Sequence, residues 1–266
     1  MQKQEIIKKY QDSEDKLFVS RLLDKINERD NKNRISTTDF LNIHERAIAE
    51  DILNKEKIQN YLFSGGFEEA ERTILIFYPE KLEKEYIEKQ LKNWISIIRI
   101  ILPKYNEKYS HREYLGGIMK LGVKREKIGD IIVYENGADI IVCQDIANYL
   151  KQELSNLTRF SKANIDLKEI NEIKTTDIKT KEVIIIVPSY RIDAIVAEVI
   201  HTSRSKAIDV INEERVFVNG HVYKDGAKSA KIGDKITIRG KGRFEILEEL
   251  GNTKKENIKL KIMTYL

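Results

Sequence analysis

The sequence predicts an α+β protein of several domains: a helical N-terminal region over 1–70, a central α/β plait over 71–169, a linker and connecting strand over 170–188, and a C-terminal module over 189–266. Three observations predict it. Apolar residues recur at helical spacing near the N-terminus, β-branched runs alternate with helical stretches from about Trp94, and two short helices followed by an Asn-Gly hairpin signal close the chain. With 266 residues and 41% hydrophobic content, the chain has room for two or three cores, at roughly 100–200 residues per domain.

In the first region, Phe18, Leu22, Leu23 and Ile26 form one helical face. A second helix is expected after Ser36-Thr37-Thr38-Asp39, whose oxygens suit a helix N-terminus, with Phe40, Leu41, Ile48 and Ile52 as its apolar side. Ser64-Gly65-Gly66 breaks the pattern, and Ile74 to Tyr78 reads as a strand closed by Pro79. From Ile95 the order is strand to Ile101, helix from His111 to Leu121, strands Ile131 to Tyr134 and Ala138 to Cys143 around Glu135-Asn136-Gly137, helix Gln144 to Leu157, and strand Ala163 to Leu167. The Asn-Gly pair signals a two-residue hairpin. The order β-α-β-β-α-β is that of the ferredoxin-like plait, which RNA-recognition domains also use. Those domains stack bases on aromatics of the two central strands, whereas here the strands read Ile97-Ile98-Arg99-Ile100-Ile101 and Asp139-Ile140-Ile141-Val142-Cys143. Packing is therefore the expected role of this sheet, and RNA contacts from this domain would come from His111, Arg112, Lys124, Arg125 and Lys127 in its loops.

After the polar stretch 170–182, a strand from Val183 to Val187 leads to Pro188-Ser189. Ile192, Ile195, Val196 and Val199 then form one helical face, with Asp193 in the first turn, where a carboxylate suits the macrodipole. His201-Thr202 breaks the helix and Ser203 caps the next, which buries Ala207, Ile208 and Ile211. Arg204 and Lys206 in a first turn oppose the macrodipole by roughly 0.3–1 kcal/mol each, a placement that makes sense if a phosphate sits there beside Ser205 and the free N–H groups; the alternative is a solvated turn. Val216-Phe217-Val218, Asn219-Gly220 and His221-Val222-Tyr223 form a hairpin of type I′ signature. In the next strand Lys235, Thr237 and Arg239 share one face and the isoleucines the other, and Gly240-Lys241-Gly242-Arg243 continues the basic series before strands near Phe244–Leu247 and Ile258–Ile262. From His201 to Arg243, counting Arg215, there are ten Lys/Arg against five Asp/Glu, so the nearly neutral chain, with formal net charge +4, gathers its positive charge here.

Composition narrows the function. Cys143 is the single cysteine and lies in an apolar run, which predicts a buried, inert thiol and a reducing compartment. No metal-ligand spacing joins it to His44, His111, His201 or His221, so no metal or cofactor is expected. The N-terminus lacks an apolar signal segment and no apolar run reaches the roughly 18 residues of a spanning helix, so a cytoplasmic protein with no membrane partner is expected.

Arg191-Ile192-Asp193, Ser203-Arg204-Ser205-Lys206-Ala207, Val216-Phe217-Val218-Asn219-Gly220 and Lys231-Ile232-Gly233-Asp234-Lys235-Ile236 together resemble the RNA-binding domain of small-subunit ribosomal protein four, the alpha-L motif. The resemblance implies two helices and a hairpin forming an L whose concave basic side grips folded RNA. The resemblance and the basic series together mark Arg191, Ser203, Arg204, Ser205, Lys206, Arg215, Asn219, Lys235, Arg239, Lys241 and Arg243 as candidate RNA-binding residues. Upstream, 65–72, His111-Arg112-Glu113-Tyr114-Leu115-Gly116-Gly117 and Leu121-Gly122-Val123-Lys124-Arg125-Glu126-Lys127-Ile128-Gly129-Asp130-Ile131, with Arg239-Gly240-Lys241-Gly242-Arg243-Phe244 downstream, resemble the YlmH family over about residues 40–262. This likeness implies a bacterial factor, monomeric when free, that binds large-subunit ribosomal RNA and tRNA, with ribosomal proteins as further partners, in quality control of stalled nascent chains by C-terminal tailing.

Two other classes compete. An rRNA-modifying enzyme or its accessory would share the C-terminal domain, but Gly65-Gly66 and Gly116-Gly117 lack the strand-loop-helix context of a nucleotide-binding loop. No Ser, Cys or second His is placed to pair with His111, and Asp193 reads as first-turn electrostatics and not as a general base, so no catalytic residue is expected. A cell-division-linked adaptor docking through the mixed-charge helix Glu45 to Lys57 is the third reading, against which stands the ordinary solvated face.

Overall fold

The computed structural model describes residues 3–68, 70–103, 108–174 and 180–265, so 175–179 of the expected linker lie outside the described residues. The chain divides into two units, Met1–Thr176 and Asp177–Leu266.

In the first unit, α1 (Lys3–Ile7) and α2 (Ser13–Lys32) precede a short strand, β1 (Ser36–Thr37), and α3 (Ile43–Lys55). Helix α2 starts where the Asp12 carboxylate accepts the N–H groups of Glu14 at 2.7 Å and Asp15 at 3.2 Å. The second helix begins later than the Ser/Thr/Asp run suggested. Asn42 accepts from His44 and Glu45, and Glu45 accepts the Asn42 N–H at 2.8 Å, a reciprocal capping box that outcompetes Ser36–Asp39. Ser36 and Thr37 instead pair with Phe77 and Ile76 of β3 (Ile74–Phe77), which also pairs with β2 (Tyr61–Ser64). The N-terminal region therefore carries a three-stranded sheet, β1-β3-β2, that helical periodicity did not reveal.

A short helix, α4 (Lys84–Lys89), leads to β4 (Ile95–Ile101), α5 (His111–Met119), β5 (Ile128–Tyr134), β6 (Gly137–Cys143), α6 (Gln144–Asn156) and β7 (Asn164–Lys168). The sheet order is β5-β6-β4-β7 with antiparallel neighbours. Side chains alternate across a strand. Ile98, Ile100, Ile140 and Val142 face α5 and α6 through Tyr114, Ile118, Leu150 and Leu154. Ile95, Ile141 and Cys143 face the other way, onto Phe40, Leu62, Ile74, Ile76 and Tyr78. In β3, Leu75 and Phe77 turn to α2 and α3, packing with Leu22, Leu23, Ile48 and Ile52. The unit is thus four layers, helices, sheet, sheet and helices, and the expected boundary at 70/71 falls inside it because β3 is shared.

Residues 170–174, expected as linker, close one end of the inter-sheet layer. Ile170 and Ile173 pack against it, and the buried Asp139 carboxylate accepts from the Arg99 guanidinium at 2.8 and 2.7 Å, the Tyr134 hydroxyl at 3.2 Å and the Lys174 N–H at 2.9 Å. The hairpin at Glu135-Asn136-Gly137 is also differently built. Tyr134 pairs with Gly137, so Glu135 and Asn136 are the turn, and neither has positive φ. Gly137 is a strand residue. A Cβ there would lie 1.9 Å from the Ile100 carbonyl oxygen, so close approach of β4, and not turn geometry, demands the glycine.

The second unit comprises β8 (Thr180–Val187), α7 (Ile192–Val199), α8 (Arg204–Asn212), β9 (Val216–Val218), β10 (His221–Val222), β11 (Lys235–Ile238), β12 (Gly242–Asn252) and β13 (Ile258–Tyr265). They form one sheet in the order β10-β9-β11-β12-β13-β8. Strand β8, expected as a connector, pairs along its length with β13, from Val187↔Ile258 to Thr180↔Tyr265. Helices α7 and α8 cover one face, where Ile192, Ile195, Val196, Ala207 and Ile211 meet Val216, Val218, Ile236, Ile238, Phe244 and Ile246. Asn219 at φ 51° and Gly220 at φ 83° form the tight turn between β9 and β10, as the type I′ signature predicts.

Candidate nucleic-acid interface

Helices α7 and α8 meet at a corner turned by His201, which takes φ 51°, while the Thr202 N–H reaches back to the Ala197 carbonyl at 2.9 Å. At this corner Asp193 is only 1% exposed. Its Oδ1 and Oδ2 accept a bidentate pair from Arg191 at 3.2 and 2.7 Å, and Oδ2 also accepts from Arg204 at 3.1 Å. Burial alone would raise the Asp193 carboxyl, but the two arginines outweigh it and hold the group below the usual carboxylate range. The first-turn reading of Asp193 therefore changes: it is a buried clamp that brings arginines from two helices together. A carboxylate inside the apolar run Ile192–Val196 was the available signal, since a buried charge needs a partner.

The loop before β11 closes the start of α7. The carbonyls of Lys228 and Gly226 accept the N–H groups of Ile192 at 3.0 Å and Asp193 at 3.1 Å. Gly226 lies so near that an added Cβ would come within 3.2 Å of Asp193 Cβ and 3.0 Å of Ile211 Cδ1. The start of α8 is more open. Ser203 Oγ accepts the Lys206 N–H at 3.4 Å and lies 3.0 Å from Ser205 Oγ, and Arg204, Ser205 and Lys206 are exposed. Lys206 has no ion-pair partner among the described residues. Arg191, Arg204 and Lys206 thus surround a helix N-terminus with hydroxyls beside it, an arrangement suited to a phosphate.

The remaining C-terminal residues do not join this group. Alternation places Lys235 and Arg243 on the sheet face opposite the helices, with Arg215 and Arg239 beside each other at the ends of β9 and β11. Arg215 donates to the Arg239 carbonyl at 2.9 Å and to Glu213 at 3.2 Å. Lys235 lies 3.9 Å from Glu245, and Lys241 is exposed at the loop tip. Asn219 has an internal role: its amide donates to Asp234 at 2.8 Å and accepts the Lys235 N–H at 2.9 Å, which ties the hairpin turn to β11.

In the first unit the expected loop contacts also separate. Lys127 is held between Asp39 at 2.8 Å and Asp145 at 2.6 Å. Arg125 donates to the Ile128 carbonyl at 2.6 Å, and burial pushes its pKa down to about 10. Both are internal ties, because a half-buried cation takes the nearest acceptors. His111, exposed at the start of α5, has its pKa lowered first by partial desolvation and then by the nearby Arg125. Arg112 and Lys124 are exposed. Both faces of the central strands are covered, so this sheet offers no stacking platform.

A family model described as a putative RNA-binding domain in YlmH matches residues 89–174. The ribosome-associated protein quality control protein P2 of Bacillus subtilis (strain 168) is 31% identical over 228 residues, spanning 84% of this chain and 84% of that protein. Among solved structures, a cell division protein ylmH from Streptococcus pneumoniae is 22% identical, with a TM-score of 0.49, over 61% of this chain and 96% of its own.

Proposed function

Because the chain belongs to the YlmH family, we propose that it is a non-enzymatic RNA-binding factor that associates with the large ribosomal subunit and tRNA and acts in quality control of stalled nascent chains by C-terminal tailing. In this reading β4–β7 with α5 and α6 form a ferredoxin-like plait, and α7, α8 and β9–β11 form an alpha-L RNA-binding module. The observation that carries it is the Arg191–Asp193–Arg204 clamp beside the open start of α8. Asp193 fixes two guanidiniums whose outer N–H groups remain available to phosphate oxygens, and Lys206 adds a mobile charge. The name of the Bacillus subtilis relative supports the ribosomal setting.

The test is co-sedimentation with purified large subunits at rising salt. Each phosphate neutralised contributes about −0.9 to the slope of log affinity against log salt on duplex-like RNA. Arg204→Glu with Lys206→Glu is expected to abolish association at moderate salt. Association that ignores salt, or that survives this double change, would count against the phosphate site, and a modified nucleoside lost from the RNA of a deletion strain would revive an enzymatic reading.

A further inference from the structure

We infer that the sheet of the second unit carries, on the face away from the helices, a second RNA contact that stacks unpaired bases on two arginine–aromatic platforms. One cross-strand row runs Phe217↔Thr237↔Arg243↔Tyr265 over β9, β11, β12 and β13. At one end the Arg239 guanidinium lies 5.2 Å from the centre of the Phe217 ring, and at the other Arg243 lies 4.2 Å from the centre of the Tyr265 ring. Each ring thus has a guanidinium over it, exposed at Arg239 and half-buried at Arg243, and the solvent-facing side of such a cation is a surface on which a base stacks.

The charges nearby fit a nucleic acid. Arg239 and Lys241 are exposed and have no carboxylate partner among the described residues; of the acids nearby, Glu213 pairs with Arg215, and Glu245 accepts from the Tyr265 hydroxyl at 3.2 Å and lies 3.9 Å from Lys235. The loop between β11 and β12 turns through Gly240 at φ 78° and Gly242 at φ 110°, which sets Lys241 at its tip, placed to follow a backbone. Phe217 and Tyr265 are three strand spacings apart, about 14 Å, so the platforms serve different nucleotides of one strand. A duplex keeps its base faces inside and cannot use them, whereas a single strand can. The ordinary account, in which an arginine stem merely shields Phe217 from water, needs charge and aliphatic cover but no planar group.

This inference rests on the RNA-binding reading above and is separable from it. The full chain is titrated against fluorescein-labelled oligoadenylate of about ten nucleotides and against an RNA duplex of about 16 base pairs, with anisotropy as readout. Arg239→Lys, which keeps the charge and loses the plane, is expected to weaken oligoadenylate binding roughly tenfold, the scale of one lost base stack. Ultraviolet crosslinks to oligoadenylate are expected in the peptides holding Phe217, Arg239 or Tyr265. Wild-type oligoadenylate affinity in Arg239→Lys, or a wild type that binds the duplex but no oligoadenylate, overturns the inference alone. A wild type that binds neither RNA overturns it together with the RNA-binding reading.

Discussion

Asp193 shows how one buried carboxylate organises a surface. Its charge is balanced by Arg191 and Arg204, so Asp193→Asn leaves the shape and removes the electrostatic reason for both arginines to converge. Charge-assisted hydrogen bonds contribute roughly 1.5–3 kcal/mol each, and a loss of about 2–3 kcal/mol of folding stability is expected by urea denaturation at pH 7, with weaker RNA binding. Since the folded-state pKa is lowered, this contribution is fully present above the usual carboxylate range and is lost only as pH falls through the depressed value. Asp130 has the opposite sign. Burial pushes its carboxyl up to about 6, against the N–H groups that Glu71 and Arg72 donate at 2.7 and 3.2 Å. The folded state therefore holds the proton that the unfolded chain releases near pH 4, and stability from this group falls as pH rises through about 6. Asp130→Asn is expected to gain on the wild type by roughly 1–2 kcal/mol between pH 4 and 7. At this scale the cations of the site were legible as residue types in tell-tale positions, but their partners were not. Nothing in the spacing of Lys127 reveals Asp39 and Asp145, which arrive from distant parts of the chain.

At the scale of elements, two Asn-Gly pairs show where local signals hold and where tertiary contacts override them. Asn219-Gly220 makes the turn its backbone preference predicts, with the Asn219 side chain tying it to β11, whereas Gly137 is required by the Ile100 carbonyl across the sheet. The two glycines should respond differently to alanine. Gly220→Ala places a side chain at positive φ in an exposed turn and is expected to cost about 1–2 kcal/mol. Gly137→Ala drives a Cβ into backbone that cannot move without unpairing β4 from β6, and should cost more than about 3 kcal/mol, read as loss of cooperative thermal unfolding. The strands and helices of the β4–β7 sheet were readable because β4 and β6 are continuous apolar runs and α6 carries a clear helical period. Strands β1 and β2 were not, since two to four residues carry no period and take their structure from β3.

For the molecule as a whole, charge and packing divide the work. Residues 1–176 hold 30 Lys+Arg and 30 Asp+Glu, whereas 177–266 hold 17 and 13, so the whole net charge of +4 belongs to the second unit. The first unit instead concentrates apolar burial between two sheets, a feature invisible to any reading that treats its N-terminal helices and its β4–β7 sheet as separate domains. Cys143 lies in that layer, buried, with its thiol pushed up to about 12, first by desolvation. As the sole cysteine it is expected to resist thiol-labelling reagents under native conditions and to react at the rate at which the sheets separate, so sub-denaturing urea should accelerate labelling. Rapid labelling of the native chain would contradict the sealed layer.

That sealed layer bears on how the protein can be divided. A fragment cut to the matched stretch 89–174 keeps the β4–β7 sheet and its helices but discards Phe40, Leu62, Ile74, Ile76 and Tyr78, leaving Ile95, Ile141 and Cys143 facing water. Such a fragment would be sticky and prone to self-association, and RNA retained by it in a pull-down would report an exposed interior and not a surface of the intact chain.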